Sequence, residues 1–65
     1  MFLLLTHHNT KKAPVVDEEF LVNTGQIKYI TMDPEGGSFI HFCDEEMPYK
    51  VLEPIETILQ TANAR

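Results

Sequence analysis

The sequence contains no tryptophan, a single cysteine, and five basic residues against ten acidic ones. Each shortage removes a class of explanation. The lone Cys43 closes no internal disulfide, which excludes the stapled frameworks of small secreted domains and makes a reducing compartment, the cytoplasm, the expected location. A formal charge of −5 argues against direct binding to nucleic acid. Such binding is driven by a basic stripe that displaces counterions from phosphates. Here the basic residues are Lys11, Lys12, Lys28, Lys50 and Arg65, with one adjacent pair. Long hydrophobic runs are also missing. The opening "MFLLL" has no basic residue before it and no cleavage-like site after it, so it is expected to form a buried strand and neither a signal peptide nor a membrane span. No repeat, low-complexity tract or linker divides the chain.

What is present fits one domain over residues 1–65. "FLLLT" (2–6) is a short continuous apolar run, the pattern of a strand buried on both faces. "HHNTKKAP" (7–14) is polar and closed by proline, which predicts a hairpin loop. In "VVDEEFLVN" (15–23) the acidic triplet interrupts the pattern, so a strand is expected around Phe20 to Asn23, with Val15 and Val16 as an edge piece. "TG" (24–25) reads as a turn and "QIKYITM" (26–32) as a strand. "DPEGG" (33–37) combines a proline-set φ with glycine freedom, a hairpin signal. "SFIHFC" (38–43) and "MPYKVLE" (47–53) are the remaining strands, joined by an acidic turn. From Pro54 the period turns helical. Ile55, Ile58, Leu59 and Ala62 form one stripe, Pro54 suits the first helical position, and Glu56 and Arg65 complement the macrodipole. The fold class is therefore α+β: a small antiparallel β-meander of four or five strands with one C-terminal α-helix.

Both faces of these strands carry apolar residues. Ile40 and Phe42 share one side of their strand, while Phe39, His41 and Cys43 share the other. Ile27 and Tyr29 are expected on one side of the preceding strand, with Ile30 and Met32 opposite. One short helix cannot cover both faces. Chains this small bury only about 60% of their unfolded surface, so the second face must be closed by curling into a roll or by another copy of the chain. The interface is expected at Ile30, Phe39, His41, Cys43 and Leu52, making a homo-oligomer. The acidic surface also suits a basic protein partner.

Catalytic and metal chemistry find little to stand on. His41 and Cys43, two apart on a strand, supply half of a zinc site, which only His7 and His8 could complete. The acidic triplets Asp17–Glu19 and Asp44–Glu46 lack calcium-loop spacing and are read as solvated turns, and no phosphate-binding glycine loop or nucleophile–base set occurs. No catalytic, cofactor or metal residues are assigned, and the chain is read as a non-enzyme. The alternatives are a regulator-like module touching nucleic acid as an oligomer, through Lys11, Lys12, Lys28 and the loop histidines, and a His/Cys metal-binding protein.

Three elements together carry a family likeness: an opening strand ending in Leu5–Thr6, the "VNTGQIKYI" stretch (22–30), and Tyr49-x-Val51-x-Glu53 before the Ile55/Ile58/Leu59 helix. They resemble the small flagellar FlbD family of bacteria. Residues 22–59 are also similar to the first half of LytTR DNA-binding domains. The FlbD resemblance implies a small cytoplasmic accessory protein of motility that acts through protein contacts. The "HHNTKKAPVVDEE" segment is longer than the first loop of that family. LytTR modules bring basic residues to DNA where this chain is acidic, so DNA readout is not carried over.

Overall fold

Alternating side chains and opposed charges draw the first two strands into a long ribbon. In the computed structural model, which describes residues 1–63, β1 spans Phe2–Asn9 and β2 spans Val16–Asn23, paired along their full length from Phe2↔Asn23 to Asn9↔Val16. His7, His8 and Asn9 are thus strand residues, not part of the hairpin loop, and Asp17 to Glu19 do not interrupt β2. The two polar stretches face each other and compensate. His8 Nδ1 lies 2.6 Å from Asp17 Oδ1, and Lys12 Nζ donates to Glu18 at 3.2 Å. Hydrogen bonds between polar side chains across the ribbon favour pairing even where hydrophobic alternation lapses.

After β2 a 3-10 turn (Thr24–Gln26) is capped by Asn23, whose side-chain oxygen accepts from the Gly25 N–H. β3 (Ile27–Met32), β4 (Ser38–Phe42) and β5 (Tyr49–Val51) follow as hairpins, then α1 (Ile55–Asn63). The sheet has five strands in the order β2-β1-β5-β4-β3, every neighbour antiparallel. The β3–β4 turn uses Gly36 and Gly37 at φ 113° and 79°. A Cβ on Gly37 would strike the Val51 carbonyl oxygen, so this position needs glycine twice over. β5 is shorter than the 47–53 pattern predicts. Pro48 has no N–H to extend it, and beyond Val51 the ladder gives way to side-chain bonding. The Leu52 N–H donates to the Thr6 carbonyl, while the Glu53 carboxylate accepts from both the N–H and the hydroxyl of Thr6, each at 2.9 Å.

The register forces the sheet to curl. Glu18, His7, Val51, Ser38 and Met32 stand side by side across all five strands. β2 and β3 run the same way, so in a flat sheet Asn23 and Ile27 would sit roughly 30 Å apart along the strands and about 19 Å across them. The chain linking them reaches at most about 14 Å. The sheet therefore coils into a roll, one of the two closures that the apolar pattern allows.

Inside the roll lies a buried cluster of Leu3, Leu5, Val22, Ile40, Val51 and Ile58. Ile58 comes from α1, which lies against β3, and Ala62 joins it while Leu59 is exposed. Pro54 sits one position before the helix, where its carbonyl accepts the Ile58 N–H at 3.1 Å. Arg65, expected to follow the last turn, lies outside the described residues. No helix is long and apolar enough to cross a membrane.

Two expectations about faces are corrected. Phe2 and Leu4 are exposed, so β1 is buried on one face only. A bulge between Ile27 and Tyr29 shifts the alternation, and Ile27 joins Ile30 against the core. Ile30, expected at the outer interface, therefore belongs to the inner side, away from Phe39 and Leu52.

Candidate interaction surfaces

The outer face divides into two regions. At the base of the β1–β2 ribbon, Phe2, Leu4 and Leu21 are 63%, 55% and 68% exposed, and Leu52 stands beside them next to Thr6. Residues 1–6 and 20–27, which build this base, contain no charged side chain. Across β5 the second region begins. Lys50 reaches over the Phe39 ring, 5.4 Å from its centroid, and is bound to the Asp33 carboxylate and the Gly36 carbonyl. Beyond it His41 stacks on Tyr29 with centroids 4.2 Å apart and hydrogen-bonds the Thr31 hydroxyl at 3.1 Å. Cys43 is exposed just past the end of β4, its N–H donating to the Gln26 carbonyl.

Of the residues expected at an interface, Phe39, His41 and Leu52 thus share the outer face, Cys43 adjoins it, and Ile30 is on the other side. Phe2, Leu4 and Leu21 are not singled out by sequence pattern. A run of five apolar residues reads as buried, and only the pairing with β2 shows that alternate side chains have nothing above them.

At the end of the roll away from α1, the inner face presents rings. Phe20 and Tyr49 stack at 6.0 Å, Phe42 meets Tyr49 edge-on at 5.2 Å, and His7 sits 5.1 Å from Tyr49. Two cavities open here on either side of the β4–β5 turn. The larger, about 650 Å³, lies between residues 7–11 at the end of β1, Phe39 and residues 44–50, and mixes charges of both signs. The smaller, about 320 Å³, is floored by Phe20, Val22, Phe42 and Tyr49 and rimmed by Asn23, Gln26, Asp44 and Glu45.

Two of the carboxylates elsewhere are matched by lysines. The Lys12 ammonium, helped by the Asn9 amide, holds the Glu18 carboxyl below the usual glutamate range. The Lys50 ammonium, with the Glu35 N–H second, does the same for Asp33. Lys12 and Lys50 are thereby engaged within the chain, leaving Lys11 and Lys28 dispersed on the hairpin tip and β3. The histidines are separated too: His7 among the inner rings, His8 on Asp17, His41 on Tyr29. Among the described residues no three His, Cys, Asp or Glu side chains converge as metal ligands would.

What the arrangement defines is a class: a curled five-stranded sheet with a capping helix and two unlike surfaces. No family model matches the chain, and neither a curated protein nor a solved structure matches it. The residues that carry its likeness to FlbD proteins hold the fold together. Leu5, Val22 and Val51 are core, Asn23 caps the 3-10 turn, Ile27 and Ile30 pack on the core, and Thr6 pairs with Glu53. They specify a scaffold, which by itself carries no function.

Proposed function

We propose that the chain is a non-enzymatic interaction module that self-associates through its outer sheet face. The observation that supports this is the uncharged base of the β1–β2 ribbon. Two copies carrying −5 each repel. A contact between them is favoured where little charge is brought to like charge, and Phe2, Leu4 and Leu21 are the exposed apolar group that meets that condition, with Leu52 at its edge beside the Thr6-bound Glu53 carboxylate. Contiguous apolar surface on a small domain is a common mark of such contacts. Phe39 and His41 extend the face across β5. The single cysteine suits a reducing compartment, the cytoplasm, and the likeness to FlbD proteins supports a role as a motility accessory.

Sedimentation equilibrium at micromolar concentration tests the reading. The wild-type chain is expected to dimerise or go higher, Leu4→Asp to be monomeric, and Phe39→Asp to associate more weakly. A folded wild-type monomer throughout that range would remove the premise.

A further inference from the structure

We propose that the smaller cavity, at the open end of the roll, receives an arginine side chain from a basic partner peptide. The cavity adjoins the self-association face, with Leu21 lining it as well, but the proposal does not rest on association.

Three observations carry it. The first is size: at about 320 Å³ the cavity holds one long side chain, at the lower end of ligand pockets, which begin near about 300 Å³. The second is the wall. Phe20 and Tyr49 stack with centroids 6.0 Å apart and planes 20° apart, and Phe42 is set edge-on against Tyr49 at 86°. A planar guanidinium stacks on an aromatic ring through cation–π attraction, and its methylene stem packs along Leu21, the exposed apolar residue of the lining. The third is charge. Asp44 and Glu45 stand at the rim, and among the described residues no Lys or Arg lines the cavity. Among the described residues the ion pairs are His8–Asp17, Lys12–Glu18 and Lys50–Asp33, so neither rim carboxylate is matched by a cation of this chain. A carboxylate pair beside an aromatic floor favours the forked donors of arginine over a neutral ligand.

The turn that bears these carboxylates is anchored. The Glu45 N–H donates to the Phe42 carbonyl at 3.3 Å, and the Cys43 N–H to Gln26 at 2.8 Å. The rim is therefore held to the same strands that supply the floor. Asp44 and Glu45 line the larger cavity as well, where Lys11 and Lys50 stand among the acids and weaken its preference for a cation.

The test is an NMR titration of the ¹⁵N-labelled Leu4→Asp chain, so that self-association does not compete. The probes are N-acetyl-arginine amide and its neutral isostere N-acetyl-citrulline amide. Arginine is expected to shift amides at Phe20, Phe42, Asp44, Glu45 and Tyr49, and citrulline to leave them in place. Combining Asp44→Asn with Glu45→Gln, both on an exposed turn, is expected to weaken arginine binding about tenfold. An equal response to citrulline, unaltered binding by the double variant, or shifts at Glu18 and Asp33 as large as those at the cavity would each overturn the proposal. Failure here with a dimeric wild-type chain would leave the self-association reading intact.

Discussion

Leu3 and Leu4 are the same residue on the same strand, yet one is 3% exposed and the other 55%. The inner and outer faces of β1 differ in what stands above them and not in composition. Over Leu3 and Leu5 the sheet has curled and α1 has delivered Ile58. Over Phe2 and Leu4 the described residues leave more than half of each side chain exposed. The same asymmetry runs through the ribbon's length. Its upper half is charged and partly matched, through His8–Asp17 and Lys12–Glu18, while its base is apolar and open. The fold is thus complete on one side, with its exposed apolar side chains gathered at the ribbon base.

The contrast is most easily broken from the inside. A chain of this length has about 3–10 kcal/mol of stability in total. Ile40→Ala removes a fully buried side chain from the centre of the cluster. It is expected to cost about 2–5 kcal/mol, enough to unfold much of the population, as read by urea denaturation. Gly37→Ala forces a side chain into a positive-φ position against the Val51 carbonyl, and a loss of about 1–3 kcal/mol is expected by the same measurement. Glu53→Ala strips Thr6 of both its partners where β5 ends, at about 1–2 kcal/mol.

Smaller effects belong to the matched charges and to the open face. Glu18 and Asp33 have lowered folded-state pKa values. Their contribution is complete above the ordinary carboxylate range and is lost as pH falls through the folded values, below about pH 4. Thermal melts across that range are expected to fall less steeply for Glu18→Gln and Asp33→Asn than for the wild-type chain. The exposed Lys12–Glu18 pair contributes the part that added salt removes. Leu4→Asp is expected to change monomer stability by less than about 1 kcal/mol while abolishing association. A large stability loss from Leu4→Asp would mean that the outer face is not open in the way the inner one is closed.

Much of the architecture is legible in the order of residues alone. The strand positions around Ile27–Met32 and Ser38–Phe42, the Asp33–Gly37 hairpin and the helix after Pro54 all follow from local pattern, because turn chemistry and side-chain period act over a few residues. The extension of β1 through His7 and His8 is not legible in this way. Its partners Asp17 and Glu18 lie about ten positions away, and compensation between two polar stretches appears only once they are paired. The bulge at Lys28, which moves Ile27 to the inner side, leaves no mark on composition either. Of the candidate sites, Leu52 and the Phe39–His41 strand could be read from alternation, whereas the aromatic floor joins Phe20, Phe42 and Tyr49 from three separate strands.

The sequence by itself determined the elements, their order and the acidic balance, since propensity, turn residues and charge are properties of short stretches. Only the tertiary structure decided which apolar residues are covered. A strand has two faces of equal standing until register and curl assign one to the interior. That assignment comes from a three-residue link between the edge strands, too short to let the sheet lie flat.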